Sequence, residues 1–593
     1  MAFSFSRLSG FQMPERRIFM QSCDLRPSDE SAADLLVRHT GYGPEQLARM
    51  FETGCISYVN EEYAVLHLPL ERLSGSAGIP YTAIPSLYGL LDTTSMEQSG
   101  IAAVLRQPVL QADGEGVLLG LIDTGIDYTN PLFRREDGST RILGLWDQTL
   151  EGGGFSMEGT REASYAFLYG AEFGESAINE ALQSGDPFRQ IPSRDLSGHG
   201  TFLAGIAAGR NTGDFTGAAP GCSLGVVRLK PAKTWLRDYY QIPDSAEAYQ
   251  ENDILMGVTY LVLLAYRFRM PLVLCLGLGT NQGGHGGDSP LSQVLNRLQT
   301  FVGVTAVCAA GNEAGFRHHF MGQIRPDQAY EEAELRVGEG ERGFIAELWA
   351  DFPDVYTVSF LSPAGQETGQ ISLTPGENRE VRFPLEGTVI TLSYFPSLGP
   401  RGGYLAALRF ASPSAGIWKI RVHAGVAIGG FFHIWLPIHG FLSDETVFLK
   451  ADPYTTITGP GNADFPITVS TCNHGDGSLY IHSSRGYTRD GRVKPDLAAP
   501  GVDVYGPGVS SVPGEYPMTR MTGSSVAAAH AAGAVADLYS WGYVKGNYPG
   551  MNNSAVKALL ARGAARNSSY SYPNREWGYG TLDLYQSFLT LTV

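Results

Sequence analysis

Residues 117–123 (Val-Leu-Leu-Gly-Leu-Ile-Asp) form a continuous apolar run ending in a carboxylate, as expected of a strand buried on both faces of a parallel sheet. Similar runs at 224–229, 272–276 and 302–309 alternate with helical segments at 253–268 and 293–301. Apolar strands separated by helices predict a doubly wound α/β domain, whose functional groups collect where the strands end. Asp123 and the Gly311-Asn312 turn fall at such ends. From residue 318 helical periodicity disappears. Short β-like runs at 344–350, 355–361, 389–395, 405–410 and 417–422, separated by turn residues, predict an all-β, jelly-roll-like sandwich inserted into the α/β domain. The sheet pattern resumes at 465–470, and helices starting at Ser525 and Ser554 close the domain. Ten of the residues from Val526 to Trp541 are Ala, Val or Leu, so the first of these helices is buried on most sides.

Ahead of the sheet, 31–37 and 44–50 read as helices and 56–68 as a hairpin, a small α+β unit. A polar, extended linker at 92–100 follows. The chain therefore divides into 1–98, 99–317, 318–452 and 453–593, the second and last pieces forming one domain. Residues 151–194 carry no pattern that assigns them an element.

Composition narrows the function. With 43% hydrophobic and 17% charged residues the chain is a folded globular protein. Its net charge of −17 argues against nucleic acid and anionic membrane surfaces as partners. Residues 425–442 are the most apolar stretch, but histidines, glycines and Pro437 interrupt them, which favours buried strands over a membrane span. The first ten residues lack an apolar core of the signal-peptide kind. The six cysteines have no CxxC spacing, and Cys275 and Cys308 sit inside apolar runs, which predicts buried thiols and a reducing compartment.

Four stretches carry chemistry. Asp123 ends a strand and is followed by Gly125. His199, in Asp195-Leu-Ser-Gly-His-Gly-Thr, enters a helix of small residues. Asn312 lies in Ala-Ala-Gly-Asn, and Ser525 opens the helix in Met521-Thr-Gly-Ser-Ser-Val-Ala. A serine at a helix N-terminus sits beside unpaired N–H groups that favour developing negative charge. Each stretch alone has an ordinary reading: a cap, a surface turn, a common Ala-Gly-Asn turn. Asp127, Asp195 and Asp496 supply possible metal-ligand oxygens, but no clustered Asp/Asn loop surrounds them, so neither metal nor cofactor is expected.

Together, and in this order, the four stretches resemble the subtilisin-like (S8) serine proteases. Gly217-Ala-Ala-Pro-Gly and Lys494-Pro-Asp-Leu-Ala-Ala-Pro-Gly fit the same pattern. The resemblance implies Ser525 as nucleophile, His199 as general base and acid, Asp123 as the residue orienting His199, and Asn312 as an oxyanion donor. It also implies that Leu276, Gly277, Leu278, Gly279, Ala309, Ala310 and Gly311 wall the first specificity pocket and pair with extended substrate. Residues 1–98 would be a propeptide retained in the cleft, cut from the rest at Gln98–Ser99. The chain departs from the family at Ser524, Val526 and Ala529, where Thr, Met and Pro are usual, and at Gly277, where Ser is common. Leu145-Trp-Asp-Gln-Thr, the segment 541–551 and the segment 572–580 resemble the clostridial germination-specific Csp proteases. That group implies an intracellular or spore-associated protein that activates a cortex-lytic zymogen, or a pseudoprotease that signals. A third possibility gives the insertion a sugar-binding role through Trp349, Trp418 and Trp435, although aromatics on such strands more often form core.

Overall fold

An eight-stranded sheet carries the fold, in the spatial order Leu497–Pro500, Ile467–Cys472, Val304–Ala309, Leu272–Leu276, Leu118–Asp123, Ser223–Arg228, Ile142–Asp147, Ala171–Gly174. Every neighbouring pair is parallel except the last. The computed structural model describes residues 25–39, 41–51, 55–60, 62–72, 83–90, 99–158, 164–372, 378–396 and 403–592. Helix Glu251–Phe268 covers one face, and helices His199–Ala208 and Ser524–Tyr539 cover the other. The last two are buried along their whole length, as their small-residue composition allows: Ala and Gly let backbones approach closely without leaving voids.

Within 151–194, the segments 155–158 and 164–174 acquire a clear role. The hairpin Phe155–Glu158/Ser164–Phe167 and the turn into the antiparallel edge strand Ala171–Gly174 set Phe155, Phe167 and Tyr169 around the fully buried Trp146, and Tyr260 of helix Glu251–Phe268 completes the ring. Asp147 pairs with Arg228 at 2.9 Å, and Gln148 donates to the Asp253 carbonyl. The Leu145-Trp-Asp-Gln-Thr motif is therefore core and packing, not a site.

Residues 318–452 are dominated by strands. A six-stranded and a five-stranded antiparallel sheet share one hydrophobic core. Trp418 and Trp435 are completely buried and Trp349 nearly so, which leaves no face for a sugar ring. The outer face of the six-stranded sheet packs on helix Thr234–Tyr240 through Ile345, Leu405, Trp435 and Leu236.

In the N-terminal unit, Ala32–Arg38 is a strand and not a helix, paired antiparallel along its length with Tyr63–Pro69. Its five leading residues are all buried, so tertiary pairing outweighs a helical reading of so short an apolar run. Pro44–Phe51 is helical and Ile56–Tyr58 completes the hairpin, as expected. Asp34, Ser57 and His67 repeat a Ser-His-Asp chain, with Ser57 Oγ 2.8 Å from His67 Nε2 and His67 Nδ1 2.6 Å from Asp34 Oδ1. All three are sealed from solvent, and Asp34 also accepts from Lys233 Nζ and Gln250 Nε2, each at 2.9 Å. Shut off from any substrate, this chain serves as a buried polar clamp between the N-terminal unit and the sheet domain.

Cys275 and Cys308 are buried free thiols as expected, and so are Cys222 and Cys472, whereas Cys55 is disulfide-bonded. Wide spacing in sequence does not exclude a bridge between segments that meet in space.

Where the insertion meets the sheet domain, His285, His319 and His433 stack around Trp435, with His319 Nε2 2.9 Å from His433 Nδ1. Burial pushes His285 down to about 3 and His319 to about 4, and holds His433 well below its usual range, with the nearby Arg489 acting in the same direction on His285 and His433. All three stay neutral in the folded state, while the unfolded chain takes up protons below about pH 6.5. Stability is then complete well above pH 6.5 and falls as pH drops toward 4, by about 2 kcal/mol each for His285 and His319 at pH 5, with His433 acting in the same direction. Calorimetric melting from pH 7 to 4.5 should show this decline, and the His319→Phe variant a shallower one. Equal slopes for the two proteins would contradict the assignment.

Candidate active site

The strand Leu118–Asp123 delivers Asp123 to the C-terminal edge of the sheet, and Gly125 turns the chain with a positive φ. Helix His199–Ala208 begins directly over this turn. A Cβ on Gly200 would overlap the Gly125 carbonyl oxygen and lie 3.2 Å from Asp123 Cβ, so glycine is what lets the helix come this close. His199 Nδ1 lies 2.7 Å from Asp123 Oδ1, and His199 Nε2 lies 3.1 Å from Ser525 Oγ. Asp123, His199 and Ser525 are 1%, 4% and 0% exposed. This places a hydroxyl, an imidazole and a carboxylate in one hydrogen-bonded line, a geometry in which an imidazole can draw a proton from a serine.

Neighbours brace the line. Thr124 Oγ1 donates to Asp195 Oδ1 at 2.8 Å and accepts the Gly200 N–H at 2.9 Å. Asp195 Oδ1 also accepts from Gly198 N–H, and Asp195 Oδ2 accepts from both the N–H and the hydroxyl of Thr201. It therefore caps the helix that carries His199. The Asp195-x-x-Gly-His spacing was the available signal for this role. Asp127 is occupied by Thr129, and Asp496 by Lys494 and Lys557. Among the described residues no group of three or more His, Cys, Asp or Glu could hold a metal ion. Glu247, an exposed residue near the line, has its carboxyl pushed up by partial desolvation, with His199 pulling the other way.

Ser525 and Ser524 have distinct settings. Ser524 Oγ accepts the Gly311 N–H at 3.0 Å, and Ser524 N–H donates to Asn312 Oδ1 at 3.0 Å. With its oxygen so engaged, the Asn312 side chain has its NH₂ left to donate beside the start of helix Ser524–Tyr539. His530, in the same stretch, is only structural: its Nδ1 lies 2.8 Å from the Val526 carbonyl, and burial lowers it to about 4.

The remaining site residues cluster here too. Leu276 ends its strand, and the ideal Cβ position of Gly277 is 3.0 Å from Ser525 Cβ. Leu278–Gly279 pairs antiparallel with residues 87–90 of the N-terminal unit, Leu278 opposite Leu90 and Gly279 opposite Gly89. On its other edge, strand 87–90 pairs with Tyr249–Gln250. An extended segment of the chain therefore lies between two edges beside Ser525. Ala309, Ala310 and Gly311 face inward: Ala310 N–H donates to the Val469 carbonyl, and Ala310 O accepts the Thr458 N–H, both at 2.9 Å. Ser99 is buried, and Gln98 lies outside the described residues.

The model of the Subtilase family of peptidases matches residues 114–335 and 449–580, more than half of the chain. The chain belongs to the subtilase family. It is 24% identical over 498 residues to subtilisin-like protease SBT1.2 of Arabidopsis thaliana, covering 75% of this chain and 57% of that protein. To SBT3.6 of the same plant it is 23% identical, covering 76% and 59%. The chain thus spans under two-thirds of the length of these curated relatives. The structure of the Clostridium perfringens CspB protease superposes with a TM-score of 0.71 at 29% identity, covering 83% of this chain and 98% of that one.

In this subtilase the backbone of Gly200 rests directly on that of Gly125. Gly200→Ala should destabilise the protein by about 1–3 kcal/mol and separate His199 from Asp123. A melting temperature equal to that of the parent protein would show that the helix can shift without cost.

Proposed function

We propose that this subtilase is a serine endopeptidase in which Ser525 attacks the peptide carbonyl. His199 takes the Ser525 proton and returns it to the leaving amine, while Asp123 holds the imidazole and stabilises its charged form. The observation that carries this reading is His199 bridging Asp123 at 2.7 Å and Ser525 at 3.1 Å. The Asn312 amide and the Ser525 N–H stabilise the tetrahedral oxyanion.

The N-terminal unit is the propeptide, and it remains in the cleft after cutting. The strand 87–90 seated against Leu278–Gly279 supports this, as does the buried ion pair of Asp34 with Lys233. Autoprocessing occurs C-terminal to Leu90. Gln98–Ser99 is the bond the sequence favours. The strand register brings Leu90 within one residue pair of Gly277 and so favours the bonds just after it. Similarity to CspB supports a role in germination, with an intracellular or spore-associated enzyme activating a protein zymogen such as a cortex-lytic precursor. The retained N-terminal unit also fits a signalling protein that holds its cleft closed, which makes an inactive wild-type enzyme the outcome that would favour that second role.

Two experiments test the peptidase. Ser525→Ala should abolish autoprocessing, read as an intact chain by N-terminal sequencing. Ser524→Thr keeps the oxygen that accepts the Gly311 N–H and should still process; equal loss in both variants would refute the assignment. Asn312→Ala should lower kcat on a peptide amide by about 10²–10³-fold, and a change under threefold would remove Asn312 from the oxyanion site.

A further inference from the structure

Both walls of the substrate cleft continue into loops that the β-rich insertion grips. After Leu278–Gly279 the chain runs through Thr280, whose N–H and carbonyl pair with Gly459 at 3.1 and 2.9 Å. Asn281 Nδ2 then donates to the Leu436 carbonyl of the insertion at 3.2 Å. Gly283 N–H donates to Glu347 Oε2 at 2.9 Å, an oxygen shared with Trp349 Nε1. His285 lies flat on Trp435, with ring centres 4.1 Å apart, and its two nitrogens lie 3.1 and 2.9 Å from the carbonyls of Asn281 and Ile457.

The other wall ends at Asn312, and the next residue, Glu313, joins the two sides. Its side chain is 3% exposed. Oε2 accepts from Asn281 Nδ2 at 3.2 Å and faces His318 Nδ1 at 2.9 Å, and Oε1 accepts the His439 N–H at 3.1 Å. The Glu313 N–H itself donates to Ser484 Oγ at 2.9 Å. One buried carboxylate thus ties the loop beyond Leu278–Gly279, the residue following Asn312, and two segments of the insertion.

We propose that Glu313 is a positioning residue through which the β-rich insertion sets the width of the substrate cleft and the placement of Asn312. The insertion then acts on the reaction without touching substrate. Donors surround the carboxylate on both oxygens, so replacing one oxygen by NH₂ sets donor against donor at unchanged volume. The loop 280–285 and the turn at 311–313 lose their common anchor. Misplacement of reacting groups by about 1 Å costs on the order of 10²-fold in rate.

The inference rests on the peptidase reading for its kinetic arm only. With the full-length protein and coumarin-amide peptides varied at the residue before the cut, Glu313→Gln should lower kcat/KM about 10–100-fold and flatten the preference among peptides. Asn281→Ala should cost little more once Glu313→Gln is present, because the two act as a unit. Unchanged selectivity, or losses that simply multiply, would overturn the proposal. A second arm needs no activity: in a Ser525→Ala background, hydrogen exchange at 279–283 and 311–313 should quicken on adding Glu313→Gln while the exchange of helix Glu251–Phe268 stays the same. Uniform quickening throughout the protein would mark Glu313 as a general stability residue and sink the idea. A wild-type enzyme that cuts no peptide would count against the peptidase alone, and the exchange result would still decide the role of Glu313.

Discussion

A single imidazole joins parts of the chain that are 326 residues apart: His199 reaches Ser525 on one side and Asp123 on the other. The bridge spans a narrow gap, so the elements carrying its members must be held rigidly and close. Close approach explains much of the composition around it. Small residues fill the two buried helices, glycine stands where helix His199–Ala208 rests on the Asp123–Gly125 turn, and Thr124 and Asp195 knit that helix to the strand end. Once water is excluded, a hydrogen bond to a charged carboxylate is stronger than in solution, and a misaligned one costs correspondingly more.

The same sheet edge organises what surrounds the line. Strands Leu118–Asp123, Leu272–Leu276 and Val304–Ala309 are neighbours, so their following turns bring Asp123, Gly277 and Asn312 together around the start of the Ser525 helix. The edge at Leu278–Gly279 is open to pairing, and a segment from the chain's own N-terminal unit occupies it. An extended peptide added between two edges gains backbone hydrogen bonds independent of its side chains. Such pairing suits a bound propeptide as well as a substrate, and it puts the burden of selectivity on the pocket and on whatever fixes its walls. Behind those walls stands the insertion, joined to them by Glu313, Glu347 and Trp435.

Much of this was legible in the residues. Continuous apolar runs marked the sheet because strands buried on both faces have no polar positions, and the Asp123, His199, Asn312 and Ser525 stretches are local sequences dictated by tight backbone approach. Less legible were features set by distant contacts. Ala32–Arg38 reads as a helix until its partner Tyr63–Pro69 is in place. The segments 155–158 and 164–174 make sense only as a cover for Trp146. Asp34, Lys233 and Gln250 are 199 and 216 residues or more apart in the relevant pairings, so no window of sequence could join them. Glu313 follows a conspicuous asparagine, but its partners come from Asn281, His318 and His439, and only the folded chain brings these together.

Activation of Ser525 by His199, the core of the proposed mechanism, can be read with a covalent label. A fluorophosphonate forms a covalent bond only with a serine whose proton can be drawn off by an adjacent base. Labelling the full-length protein and mapping the modified peptide by mass spectrometry tests this directly. One adduct is expected, on Ser525, and it should disappear in the His199→Ala protein. An adduct on Ser524 or Ser57, or none on Ser525 under conditions that label another serine peptidase, would contradict that mechanism.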